Sequence, residues 1–449
     1  MNIEVPHNWT PRPYQIDLYN HFEPDIPGQR GVAVWHRRGG KDLTGINIAA
    51  KKIVQRWEKP GLYWHLLPTY QQGRKIVWNG FDREGRAFLD YFPKELIKNK
   101  LNNEMRLHFL NGSIYQVVGT DDVGSLVGAN PVGCIFSEYS LQDPMAWKYI
   151  SPILRENGGW AMFIMTFRGR NHGWKLYQMA KNNPKWFCDL RTAGDLGTTF
   201  ANGQPVVTDA EINEERASGI SEEIIQQEYY CNPSAGLEGS YYGSILAQIE
   251  KKGQITGVPY DPMLKVDTAW DLGMRDNTCI VFFQRFGFET RVIDYYENSG
   301  RPLAHYKKVL DERDYDYGTH YAPHDIQVRE LTSGRTRLDT AREMGLRFTV
   351  TPKHELEDGI ENARNVLPMC WFDSKKTERL VEALGAYTKE SEPEKRWRDD
   401  KSPLYRDTPL HNWASHPADA FRYMSWWCRR PKNQQRKLQT RVEDDFQYV

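Results

Sequence analysis

The side chains best suited to chemistry fall into two groups. The first begins where the apolar run GVAVW passes through HRRGGKD into a helix-like stretch. A phosphate-binding loop needs that context: backbone amides and a helix N-terminus facing an anion, with a lysine, here Lys41, reaching the terminal phosphates. Arg37, Arg38, Gly39 and Gly40 would form the turn. The pattern G-x-x-x-x-G-K-[ST] is met only at Gly40 and Lys41, because Trp35 stands at the first glycine and Asp42 at the hydroxyl position. Taken alone, GGK also suits a solvated basic turn.

Three further signals stand in the order a nucleotide hydrolase requires. PVGCIF exits into Ser137 and Glu138, where such an enzyme carries a magnesium-binding Asp followed by a Glu that orients the attacking water. WAMFIM exits into Thr166, a polar residue placed to sense phosphate, and RPYQ puts Tyr14 and Gln15 ahead of the loop, suited to stack on and hydrogen-bond an adenine. Asp42 supplies a carboxylate where a hydroxyl is usual, and Ser137 a hydroxyl where a carboxylate is usual. The exchange keeps the ligand charge and predicts a Mg²⁺ site with swapped roles; the competing reading is a slow or partner-dependent hydrolase.

The second group is acidic. Asp271 ends the apolar strand VDTAWD, Asp325 ends the strand of THYAPHD, and Asp419 lies in HPADAFRYMSWW, where Pro417 suits a first helical turn. Ala420, Tyr423 or Met424, and Trp427 make the packing stripe of that helix, which would carry Asp419 toward the strand ends. Three converging carboxylates bind two hard cations about 4 Å apart, which activate water and stabilise the leaving oxygen of a phosphodiester. Asp267 competes with Asp271 because it lies two strand periods earlier, whereas Asp276 reads as the turn former of MRDNT. His324, His411 and His416 lack zinc-ligand spacing, and His324 and His416 read as positioning groups.

Elements of two kinds must hold these residues. Up to about residue 230, apolar runs alternate with polar turns and helix-like stretches, which predicts a mostly parallel α/β sheet, with RLHFLNGSIYQVVG inserted as an Asn-Gly hairpin. The second half opens with a strand, hairpin, strand meander and continues as an α/β domain. Gly, Pro and Ser enrichment between the halves places the boundary, giving a first domain over 1–235, a linker over 236–262, a second domain over 263–430 and a mobile tail over 431–449. With 449 residues, 39% of them hydrophobic, the chain can bury two large cores, which excludes a small module and wholesale disorder. Basic and acidic residues number 59 each, so only local clusters can speak for a nucleic-acid partner. The six cysteines lie apart with no CxxC pair, which suits reduced thiols. Mean hydropathy is −0.70 and no stretch reaches the ~18 apolar residues of a membrane span, so an intracellular protein outside the membrane is expected.

On RPYQ, HRRGGKD, LPTYQQGRKIVW, GTDDVGSLVGANPVGCIFSEYS, MTFRGRNHGW and the second-half carboxylates, the chain resembles the large terminase subunit of tailed bacteriophages over most of residues 12–427. The resemblance implies an additional-strand, catalytic-glutamate P-loop ATPase domain followed by a ribonuclease H-like nuclease domain. It implies ATP with Mg²⁺ in the first site and two Mg²⁺ or Mn²⁺ ions in the second. The implied activity is ATP-driven translocation of double-stranded viral DNA into a procapsid, with cleavage of concatemeric DNA. The implied partners are the portal protein and small terminase subunit, with a monomer in solution, a ring on the portal, and the host cytoplasm as location. Ring motors borrow an arginine from a neighbouring subunit, and Arg155 is the expected one, with Arg37, Arg38, Arg168 and Arg170 as alternatives. DNA-facing candidates are Arg74, Lys75, Arg83, Arg86, the segment 168–185 and the tail, or else these are solvated faces. A helicase or translocase without cleavage is the alternative function, and an integrase-like enzyme or a scaffold with decayed sites would not need both sets of residues.

Overall fold

The computed structural model describes residues 6–233, 239–273, 277–328, 336–391 and 405–428. The expected tail over 431–449 and the turn residue Asp276 lie outside the described residues. The chain divides into two compact units, Met1–Glu238 and Gly239–Val449.

In the first unit, eight strands form one sheet: β1 (Arg30–Trp35), β2 (Leu62–Leu67), β3 (Ile97–Leu101), β4 (Arg106–Phe109), β5 (Ile114–Gly119), β6 (Pro131–Ser137), β7 (Trp160–Met165) and β8 (Trp186–Arg191). Their spatial order is β3-β4-β5-β2-β6-β7-β1-β8. The β5-β2-β6-β7-β1-β8 pairs run parallel, and β3-β4-β5 are antiparallel around the Asn-Gly turn. β1 and β7 are buried along their whole length, as continuous apolar runs must be when helices cover both faces. β7 lies between β1 and β6, so the strand feeding the phosphate loop and the strand ending at Ser137 are separated by one intervening strand. Two helices matter for the site: α1 (Lys41–Gln55), which follows β1, and α2 (Met145–Glu156), which follows β6.

The second unit opens with α3 (Gly243–Lys251) and β9 (Ile255–Thr256), so most of the stretch expected as a linker is folded into it. Leu246 and Ile249 carry α3 into the core, which the glycines and prolines around them concealed in the sequence. Strands β10 (Val266–Asp271), β11 (Asn277–Phe286) and β12 (Glu289–Ser299) form the expected antiparallel meander. β13 (Tyr317–Ala322), β14 (Phe348–Val350) and β15 (Cys370–Asp373) complete a seven-stranded sheet in the order β14-β13-β10-β11-β12-β15-β9, with β13 parallel to β10. β10 lies between β13 and β11. Across the sheet packs α5 (Ser415–Cys428), itself against α4 (Leu356–Val366). Ala420, Phe421 and Met424 are fully buried, which fixes the rotation of α5.

Candidate active sites

Lys41 sits on the first turn of α1, and the loop before it is built from unusual backbone. Arg38 and Gly40 have φ of +72° and +70°. A side chain at position 40 would press on the Gln15 amide nitrogen at 2.9 Å, so this turn requires glycine twice over. Lys41 Nζ donates to the carbonyls of Trp35 at 3.0 Å and His36 at 3.4 Å, and lies 3.9 Å from Glu138 Oε1. Glu138, at the exit of β6, has φ +52°, a left-handed conformation costly for a residue with a Cβ. Its Oε2 is buried without a hydrogen-bond partner among the described residues, and so is Thr166 Oγ1 at the exit of β7. Two buried, unmatched polar atoms at adjacent strand ends, with a lysine beside one of them, form a cradle suited to phosphate and water.

Asp42 and Ser137, named from separate motifs, are joined: Ser137 Oγ donates to Asp42 Oδ1 at 2.5 Å. The same carboxylate oxygen faces His65 Nε2 at 3.2 Å, and His65 Nδ1 meets the Tyr115 hydroxyl at 2.8 Å. His65, Tyr115 and Ser137 are fully buried. Burial pushes the Asp42 carboxyl up, but the bonds from His65 and Ser137 and the nearby Lys41 outweigh it and hold the group below its ordinary value. A hydroxyl and an ionised carboxylate at one point suit a hard cation such as Mg²⁺.

Other expected residues stand elsewhere. Tyr14 and Gln15 are buried and spend their hydrogen bonds on the loop, since the Tyr14 hydroxyl and Gln15 Nε2 both donate to the Gly39 carbonyl at 2.9 Å. They brace the loop through these bonds. A cavity of about 470 Å³ opens beside them, where the guanidiniums of Arg12 and Arg83 lie 4.9 and 4.8 Å from the Phe200 ring. Arg12 also donates to the Arg38 carbonyl at 3.3 Å, which ties this cavity to the loop. Arg168 is ion-paired with Glu228, whose carbonyl accepts from the Arg37 amide at 2.7 Å. Arg37 and Arg38 are exposed beside the loop. Arg155 lies near the C-terminal end of α2, electrostatically beside Arg30 at the start of β1. A helix following a parallel strand runs back along it, so Arg155 lies toward the end of the strands opposite the loop.

The second site gathers at the ends of β10 and α5. Asp271 Oδ2 meets His416 Nδ1 at 2.8 Å. Burial, reinforced by the charges of Asp419 and Asp325 and opposed by His416, pushes the Asp271 carboxyl from its ordinary 3.8 up to about 6. Burial, opposed by the Arg422 charge, also raises the Tyr423 hydroxyl, with Asp271, Asp419 and Asp325 adding to the rise, so all three carboxylates lie within reach of Tyr423. Asp325 does not end a strand. Pro323 stops β13, and Asp325 stands exposed in the short turn His324–Gln327 beyond it. Asp419 Oδ1 accepts from Arg422 Nη2 at 2.9 Å and Nε at 3.3 Å. Among the described residues, no group of three His, Cys, Asp or Glu side chains forms a ready cage for a metal. His416 pairs with Asp271 and Arg422 with Asp419. The donors are nonetheless all hard oxygens, the set Mg²⁺ and Mn²⁺ take.

Asp267, the competing aspartate, is engaged by Arg285 Nη2 at 2.9 Å and Nε at 3.2 Å and by the Thr319 amide at 2.8 Å. It is a buried structural ion pair. Among the described residues no helix is long and apolar enough to cross a membrane, and the six cysteines are free thiols.

No protein-family model matches this chain, and no curated protein does. Solved structures do resemble it. The large terminase of a thermophilic bacteriophage, in complex with ADP, aligns at TM-score 0.38 and 14% identity, covering 93% of this chain and 98% of that one. The large terminase ATPase domain of Thermus phage P74-26 aligns at TM-score 0.35 and 20% identity over 50% of this chain and 98% of that one. The large terminase nuclease domain of bacteriophage SPP1 with bound Mn aligns at TM-score 0.28 and 16% identity over 35% of this chain and 84% of that one.

Proposed function

We propose that this chain is the large terminase subunit of a tailed bacteriophage: an ATPase that drives double-stranded DNA into a procapsid, joined to a metal-dependent endonuclease that cuts the concatemer. The observation that carries the reading is that one chain holds both arrangements in separate units, Lys41 beside Glu138 across an intervening strand, and Asp271, Asp325 and Asp419 around Tyr423.

In the first unit, the loop amides and Lys41 bind the phosphates of ATP. Asp42 and Ser137 hold Mg²⁺, which offsets phosphate charge when bound. Glu138, with one buried oxygen unmatched, orients the attacking water, and Thr166 registers the terminal phosphate from the next strand. The base takes the cavity by Phe200, Arg12 and Arg83, not Tyr14 or Gln15. The transition-state arginine comes from a neighbouring subunit in a ring, and Arg155 is the candidate, its exposure supporting the reading.

In the second unit, Asp271, Asp325 and Asp419 hold two Mg²⁺ or Mn²⁺ ions, which supply an activated water and stabilise the leaving oxygen. His416 orients Asp271. The portal protein, the small terminase subunit and the host cytoplasm complete the reading, with a monomer assembling into a ring on the portal.

ATP hydrolysis and metal-dependent plasmid cleavage, measured on the same preparations, test it. Lys41→Ala should abolish hydrolysis and spare cleavage, Glu138→Gln should keep nucleotide binding and lose turnover, and Asp271→Asn should do the reverse of Lys41→Ala. Normal hydrolysis in both loop-site variants, or cleavage unaffected by Asp271→Asn, overturns the assignment.

A further inference from the structure

Arg422 has no part in the chemistry assigned to the second unit, yet the fold goes to some length to place it. It lies one turn after Asp419 on α5, is only 8% exposed, and sets two guanidinium nitrogens on the same carboxylate oxygen. Its stem fits because residue 359 on α4 is glycine. A Cβ there would lie 2.6 Å from Arg422 Cδ, 2.9 Å from Cγ, and 2.8 Å from His354 Nε2. The His354 ring stacks on Trp426 at 4.4 Å and turns Nε2 toward Arg422 Nη1 at 3.5 Å. The guanidinium is thus held from both sides and cannot swing freely into solvent.

We propose that Arg422 is a positioning residue that competes with divalent cations for Asp419, so that the carboxylate cluster binds metal weakly while the ion pair stands. The inference rests on the reading of Asp271, Asp325 and Asp419 as the nuclease metal ligands. A cation bridging these carboxylates must share Asp419 with a fixed positive charge or displace it. The repulsion acts at close range in a partly desolvated pocket, where it is least screened. Arginine suits this role better than lysine: its fork is always charged and geometrically fixed, and an i,i+3 pair on one helix forms without ordering another element. A packing arginine would need only its stem here, whereas this one spends its head on the acid. The consequence is a nuclease that stays quiet at low free metal and gains activity when Asp419 is released.

The test is Mn²⁺ binding to the full-length, nucleotide-free protein after chelator treatment, read by the electron paramagnetic resonance signal of free Mn²⁺. In the unaltered protein, binding should weaken when Asp271→Asn is introduced; insensitivity to that change overturns the metal-site reading and the proposal with it. Arg422→Met keeps the stem and removes the charge, and should tighten Mn²⁺ binding by roughly tenfold or more. Arg422→Lys keeps a charge and should stay within a few-fold of the unaltered protein. Gly359→Ala crowds the stem without touching the charge, and should move affinity in the same direction as Arg422→Met by a smaller factor. Damage to packing loosens a site, so a gain in affinity is not something a merely structural role would produce. Unchanged or weaker Mn²⁺ binding in folded Arg422→Met, or in Gly359→Ala where the methionine variant fails to fold, overturns the proposal while leaving the metal-site reading standing.

Discussion

Under the proposed function, Asp42 and Ser137 are a motif that departs from its usual residues yet brings the same two groups together. The hydroxyl and the carboxylate stand within one hydrogen bond of each other, so which strand supplies which group matters less than their meeting. Asp42→Ala should sharply weaken Mg²⁺-dependent ADP binding. Asp42→Thr with Ser137→Asp should recover more than the two single changes predict, with a coupling of about 0.5–3 kcal/mol from a double-mutant cycle on ADP affinity. Strict additivity would refute the exchange and leave Asp42 as a helix N-terminal charge. Asp271 makes a pH prediction. Its folded carboxyl is raised from 3.8 to about 6, so the folded state holds an extra proton between those values, and stability is lost as pH rises through that window. In chelator, Asp271→Asn should therefore raise stability at pH 7 to 8 by on the order of 2 kcal/mol, with the gain vanishing near pH 3.5. A gain that is independent of pH in thermal unfolding would show that the Asp271 carboxyl is not raised in the folded state.

At the scale of elements, legibility followed locality. Strands β1, β2, β6 and β7 and the late helix α5 announce themselves by runs and stripes a few residues long, and the loop and the strand-end acids lie within them or beside their ends. His65 could not be found that way. It reads as an ordinary polar interruption in LYWHLL and gains meaning only because β2 lies beside β6, which brings it to Asp42, 23 positions earlier in the chain. The same limit applies to Tyr14 and Gln15, whose types suit adenine but whose partner is the Gly39 carbonyl, a contact no local pattern encodes. Asp267 and Asp271 were indistinguishable by strand period, since both lie on the same face of β10. Burial separates them: Asp267 is 1% exposed and ion-paired within the sheet, whereas Asp271 reaches the strand end. Asp267→Asn strands Arg285 and should lower unfolding stability by about 3–5 kcal/mol, measured by denaturant titration. Its Mn²⁺ affinity should match the unaltered protein below the melting range, and a specific loss of metal binding at full stability would reassign the first ligand.

For the whole molecule, equal numbers of acids and bases leave no net field to draw in DNA, so the proposed DNA contacts require local clusters of arginines and lysines. Each unit has its own buried core. The first buries clusters around Trp35 and Phe163 on the two faces of its sheet, and the second around Phe283 and Trp270 on the faces of its own. Each lies within the size range in which a single core suffices for folding. Among the described residues, the contacts named for the loop, from Gln15 to Glu228, come from Met1–Glu238. That unit produced alone should therefore unfold in one cooperative transition and bind Mg-ADP with the affinity of the full chain, within a few-fold. Gly239–Val449 alone should bind Mn²⁺ and lose that binding with Asp271→Asn. Turnover is expected to part from binding: if the arginine that completes the ATP site comes from another copy, the isolated first unit should hydrolyse ATP slowly and accelerate with its own concentration, and Arg155→Ala should abolish that acceleration without changing ADP affinity. A concentration-independent rate, or an acceleration that survives Arg155→Ala, would remove Arg155 from the trans role and return the search to Arg37 and Arg38 beside the loop.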